Sequence, residues 1–237
     1  MTIHKMFAAL LLLTLLVVPA SLQAQRRDAR ESIDKGNRLV SRGSYEEALR
    51  EYGRVGPDSA KLYSIALYNI GVCYYELWRT TEAIDYYRRA IKQRNGVYPQ
   101  ASYALGVALE DEGKLLEAKA VYNQALTAAR GDYPHAQFHL GLIAANTGDV
   151  ERAAALFRQA VNRPGEHVIS SHNNLGVMLA RMQRLKEAET EFAIAFRLSH
   201  GEFRDAAHNL DLCRRLLNGT GEADLASLRV TRMPIVD

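Results

Sequence analysis

Apolar residues through most of the chain recur at intervals of three and four, the spacing that lines one face of a helix. The stretch ASYALGVALEDEGKLLEAKAVYNQA, residues 101–125, shows the unit. Leu105 and Leu109 lie on one such face, and a polar break DEGK follows. Ala118, Tyr122 and Ala125 then resume the period. The pattern predicts two helices joined by a short turn, with Gly113 where a left-handed cap is wanted. Gly106, inside the first apolar run, has to be explained, because a helical Gly costs about 1 kcal/mol against Ala.

The explanation lies in repetition. Gly36, Gly71, Gly106, Gly141 and Gly176 stand 35 residues apart, and the next equivalent position holds Asp211. Twelve residues beyond each glycine comes an alanine: Ala48, Ala83, Ala118, Ala153 and Ala188. Sixteen beyond comes an aromatic: Tyr52, Tyr87, Tyr122, Phe157 and Phe192. A period of this length marks stacked helical units, each burying its apolar face against its neighbours. The expectation is that Gly and Ala face each other where the two helices approach closely, and that the aromatic fills the space towards the next unit. Gly43, Gly113 and Gly148 mark the turns; Trp78 and Gln183 hold that place in the second and fifth units, where strain or a different geometry is expected.

The first residues break the pattern. Lys5 precedes an uncharged run from Phe7 to Val18, then Pro19 and small residues up to Gln25, the layout of a secretory signal peptide with cleavage after Ala20 or Ala24. The apolar run is shorter than the ~20 residues of a membrane span; an uncleaved membrane anchor is the alternative. Composition is that of a globular protein, 48% hydrophobic and 24% charged. The net charge of +3 comes from basic and acidic residues spread along the chain and gives no footprint for nucleic acid. Cys73 and Cys213 are far apart and do not suggest a disulfide framework. NGT at 218–220 is a glycosylation acceptor only in a eukaryotic secretory setting.

The units IGVCYYELWRTTEAIDYYRRA, LGVALEDEGKLLEAKAVYNQA, LGLIAANTGDVERAAALFRQA and LGVMLARMQRLKEAETEFAIA, with a weaker first copy KGNRLVSRGSYEEALREYGRV, resemble the tetratricopeptide repeat. The resemblance implies an all-α fold, a right-handed α-solenoid of helix-turn-helix units. Expected boundaries are a signal peptide at 1–24 and a basic leader at 25–28. Five repeats follow, at 29–63, 64–98, 99–133, 134–168 and 169–203. A capping helix at 204–217 and a mobile tail at 218–237 complete the chain.

Repeats of this family resemble scaffolds whose concave groove is lined by first-helix residues. Three places before the repeat glycine, or its equivalent Asp211, stand Ile33, Tyr68, Tyr103, Phe138, Asn173 and His208; two before stand Asp34, Asn69, Ala104, His139, Asn174 and Asn209. The groove is therefore expected to present Asn37, Tyr68, Asn69, Tyr103, Phe138, His139, Asn173 and Asn174: rings for apolar area and amides that bond a peptide backbone in both directions. The same asparagines can equally belong to the repeat framework. A carboxylate clamp of the kind some members carry is not supported, since Ile33, Gln100 and Ala104 stand where basic residues are needed. His135 and His139 have metal-ligand spacing on one helix but lack an evident third ligand. No cofactor is expected, and no nucleophile elbow, P-loop, dinucleotide or zinc-protease motif appears in the sequence. The sequence thus points to a non-enzymatic interaction scaffold of the bacterial envelope, periplasmic or secreted, with a protein or peptide partner. Membrane contact enters only if the N-terminal segment is uncleaved. The alternative is a structural subunit of an envelope assembly, of the pilus-biogenesis or outer-membrane assembly type, docking through its convex face or ends, with the groove idle or filled by the chain's own tail.

Overall fold

The computed structural model describes residues 20–219 and 224–232. Among them stand eleven α-helices, one short 3-10 turn and no strand. Ten helices form antiparallel pairs: α1 (Ala20–Val40) with α2 (Tyr45–Tyr52), α3 (Ala60–Glu76) with α4 (Thr80–Gln93), and α5 (Pro99–Asp111) with α6 (Leu115–Ala128). The same holds for α7 (Pro134–Asn146) with α8 (Val150–Ala160) and for α9 (His167–Arg181) with α10 (Leu185–Leu198). An eleventh helix, α11 (Arg204–Asn218), packs on α10 and α9. Pro99 and Pro134 open α5 and α7, where the missing N–H costs nothing. Asp149 caps α8 by accepting from the Arg152 N–H at 3.2 Å.

Each second helix packs on the first helix of the next pair, so the pairs stack into a solenoid. First helices also meet across pairs: α1 with α3, α3 with α5, α7 with α9 and α9 with α11. They therefore form the inner side of the stack, and their free faces line the groove.

The repeat glycines have a more specific task than the sequence suggests. A Cβ on Gly106 would lie within 3 Å of the Tyr122 ring, and Gly36, Gly71, Gly141 and Gly176 meet Tyr52, Tyr87, Phe157 and Phe192 in the same way. The aromatic of the second helix sits on the glycine of its own pair, and in the third unit Tyr122 also reaches the next pair, stacking on His139 of α7 at 5.0 Å. The repeat alanines from Ala48 to Ala188 are fully buried beside it.

The turns at Trp78 and Gln183 do not change geometry. Their φ angles are 60° and 62°, beside 74°, 71° and 80° at Gly43, Gly113 and Gly148. The same left-handed cap is kept, and the side chain bears the strain. Trp78 is 93% exposed and contributes little packing in return. Left-handed geometry costs an L-residue about 1–2 kcal/mol, while Gly costs about 0.4–1 kcal/mol in unfolded-state entropy. Trp78→Gly is therefore expected to stabilise the fold by roughly 0.5–1 kcal/mol, seen as a raised thermal midpoint in circular dichroism.

Two expectations concern the chain ends. The Phe7–Val18 run lies outside the described residues. Helix α1 is continuous from Ala20, through both expected cleavage points and the basic leader. No helix among the described residues is long and apolar enough to cross a membrane. At the other end a mobile tail is expected from residue 218, but residues 224–232 are seated on the first-helix face. Leu225–Ser227 form the 3-10 turn, and Leu228 is buried in the apolar cluster shared by α9, α10 and α11.

Candidate peptide-binding groove

The eight candidate groove residues separate into three groups. At the N-terminal end, the Asn37 side-chain carbonyl accepts from the Tyr52 hydroxyl at 2.7 Å and from the Asn69 amide at 3.1 Å. These two asparagines tie α1 to α2 and α3, so here the framework reading of the amides is the one the bonds support. Tyr68 is half-buried against Tyr87 and Tyr98, at ring separations of 5.9 and 5.6 Å.

Tyr103, His139 and Phe138 occupy the middle. Tyr103 is half-buried at the centre of a ring cluster, with Tyr133, His135 and His139 at 5.8, 5.5 and 5.6 Å. Burial is the main cause that pushes its phenol well above the ordinary range. Phe138 is fully buried, edge-on to Phe157 at 6.0 Å. It belongs to the core, and the ladder of accessible rings expected along the groove ends at Tyr103. His139 lies at 2.7 Å from Glu110 through Nδ1, and the same carboxylate oxygen of Glu110 accepts from Tyr122 at 2.6 Å. Burial pushes the Glu110 carboxyl up, but these hydrogen bonds outweigh it and hold it below the usual range. His135 turns instead towards His167, ring to ring at 4.8 Å, and burial lowers both imidazoles. The two histidines thus share the Tyr103 ring but differ in their other partners, His167 for His135 and Glu110 for His139. No cluster of three or more His, Cys, Asp or Glu suited to a metal occurs among the described residues.

A cavity of about 340 Å³ opens beside this cluster, lined by Tyr75, Tyr103, Glu110, Asp111, His139 and Arg232, among others. Tyr75 donates to Asp111 at 2.5 Å, so two carboxylates on the last turn of α5 are held facing the opening. Glu110 and Asp111 were not singled out from the sequence. They lie four and five places after the repeat glycine, one turn beyond the positions that the phase marks.

At the C-terminal end the amides hold a backbone. Asn174 donates to the Thr231 carbonyl at 2.8 Å and accepts from the Thr231 N–H at 2.7 Å. Asn209 repeats the arrangement one repeat later, donating to the Arg229 carbonyl and accepting from the Arg229 N–H, both at 2.8 Å. Asn173 links them. Its amide donates to the Arg229 carbonyl and the Thr231 hydroxyl, each at 3.0 Å, and its carbonyl accepts from Asn209 at 2.8 Å. His208 Nε2 lies 3.1 Å from the Ser227 carbonyl. Contacts to residues 227, 229 and 231 have the period of two of an extended strand. Asn174 and Asn209, at equivalent places in successive units, each read both backbone groups of one residue, as a neighbouring strand would. Asn173, Asn174 and Asn209 are fully buried for this reason.

The fold and this surface define a helical-repeat protein of the class that binds proteins or peptides. A tetratricopeptide repeat model matches residues 27–98, 80–133 and 103–167, more than half of the chain. The chain belongs to the tetratricopeptide repeat family. No curated protein matches it.

Among solved structures, MamA (residues 41 to the end) from Desulfovibrio magneticus RS-1 is 26% identical with a TM-score of 0.58, covering 74% of this chain and 97% of its own. YrrB, described as a TPR protein with an unusual peptide-binding site, is 22% identical with a TM-score of 0.58, covering 79% and 94%. PilF from Pseudomonas aeruginosa is 16% identical with a TM-score of 0.61, covering 84% and 95%. The last two likenesses concern the fold.

Proposed function

We propose that this chain is a non-enzymatic protein-protein interaction scaffold of the bacterial envelope that holds an extended segment of a partner protein along its first-helix groove. The observation that carries the reading is the asparagine pair Asn174 and Asn209, each bonding both the N–H and the carbonyl of one extended residue. Recognition of this kind is independent of side-chain identity; selectivity is left to flanking hollows such as the Tyr103 cavity, which Arg232 helps to line. Export rests on the signal-like Phe7–Val18 run, and a mature N-terminus at Ser21 or Gln25 in host-expressed protein is its check. Intact Met1 in the membrane fraction would establish the anchored form instead.

The test of groove binding is cross-linking in the native host with the parent chain and with Tyr103→Ala. A central contact costs about 2 kcal/mol or more on truncation, roughly 30-fold in affinity. Partner recovery should fall accordingly while helical circular dichroism is kept. Tyr103 also supports Tyr122 and Tyr133, so some loss of thermal stability accompanies the change. A folded Tyr103→Ala chain that keeps every partner would instead favour docking through the convex face or the ends.

A further inference from the structure

Residues 224–232, DLASLRVTR, occupy the C-terminal half of the groove as a peptide would. The segment runs from α11 past α9 towards α5, opposite to the order of the repeats, and its backbone is held at 227, 229 and 231. Leu228 is buried, and Val230 packs on the same apolar cluster of α9, α10 and α11. Arg229 reaches Asp205 at 3.4 Å. Arg232, the last of the alternating 228, 230, 232 set, lines the cavity that also holds Glu110 and Asp111. Each feature has a separate role: the amides take any extended backbone, the apolar cluster takes two aliphatic side chains, and the paired carboxylates favour a cation.

We infer that residues 228–232 are an intramolecular ligand of the groove, and that the partner segment that displaces them is an extended strand of aliphatic-x-aliphatic-x-basic chemistry with its cationic side chain at Glu110 and Asp111. This deepens the groove-binding reading and rests on it. A tethered segment competes at an effective concentration on the order of millimolar. Only a partner that binds more tightly than the tail, or is itself held nearby, opens the site.

The test uses the full chain and a labelled DLASLRVTR peptide read by fluorescence anisotropy. Thr231→Pro removes the N–H that Asn174 accepts, and Leu228→Asp removes the buried side chain. Both changes lie in the tail and leave the helices intact, which circular dichroism verifies. Each opened variant is expected to bind the peptide at least 10-fold more tightly than the parent, and adding Asn174→Ala is expected to abolish the gain. A peptide with R232E should bind the opened variants at least 10-fold more weakly.

Equal affinity of parent and opened chains would overturn self-occupancy. Equal binding of the two peptides to an opened chain would overturn the basic preference while leaving groove binding in place. Binding of neither peptide to any variant would remove the groove reading as well. A parent chain that sediments as a dimer and dissociates on adding peptide would show that a second copy supplies the segment, against the intramolecular assignment.

Discussion

Tyr122→Ala is expected to cost roughly 3–5 kcal/mol of unfolding free energy, the range for removing a large buried ring. Tyr122 is fully enclosed, lies on Gly106, and stacks on His139 at 5.0 Å. Truncation leaves a cavity at the junction of α5, α6 and α7. It also takes away the hydroxyl that donates to Glu110 at 2.6 Å, in a place where that carboxylate is partly shielded from water. Tyr122→Phe separates the two losses. It keeps the ring and removes one hydrogen bond to a charged group, for a cost of about 1.5–3 kcal/mol. Urea unfolding followed by circular dichroism should rank the chains parent, Phe, Ala. Equal stability of the Phe and Ala variants would contradict the packing of the ring on Gly106.

Gly106→Leu approaches the same contact from the other helix. Because even a Cβ at this position falls within 3 Å of the Tyr122 ring, a leucine side chain must displace the ring or push α5 away from α6. Overpacking of this kind costs about 1–3 kcal/mol, occasionally more, and outweighs the ~1 kcal/mol of helix propensity gained on leaving Gly. Gly131→Ala is the comparison. Nothing lies within 4 Å of a Cβ there, but φ is 85°, so backbone strain of about 1–2 kcal/mol, partly offset by the ~0.4–1 kcal/mol of unfolded-state entropy that Ala removes, leaves a net cost of roughly 0.5–1 kcal/mol. Combining Gly106→Leu with Tyr122→Ala should recover part of the loss, since the ring that clashes is gone; for residues in direct contact the two effects are not additive. Full additivity of the double variant would show that the two positions do not meet.

The 35-residue phase made the helix pairs legible, because the Gly, Ala and aromatic positions it aligns lie on helices that touch within one unit. It also marked the first-helix positions of Asn174 and Asn209, the two amides that bond the backbone of residues 231 and 229. Periodicity did not show what lies on those positions. Phe138 and Tyr103 share a phase, yet Phe138 is enclosed in the core against Phe157 while Tyr103 is half-buried among Tyr133, His135 and His139. Asn173 and Asn174 are buried by residues 229–231, which lie more than fifty positions away and outside the repeat. No local spacing encodes that contact. The tail carries no repeat signature, and what holds it is a row of side-chain amides. Glu110 and Asp111 escaped for a related reason: they look like solvated residues at a helix end, and only Tyr75, Tyr122 and His139, drawn from three different helices, turn them towards a cavity.

Amide hydrogen exchange at Arg229 and Thr231 in the intact chain bears most directly on the claim that asparagines on the groove hold an extended backbone. The account predicts that both amides are protected in the parent. In Asn174→Ala, Thr231 should exchange at least 10-fold faster while amides inside α9 and α11 stay slow. Exchange of Thr231 in the parent at the rate of an unstructured peptide would contradict it.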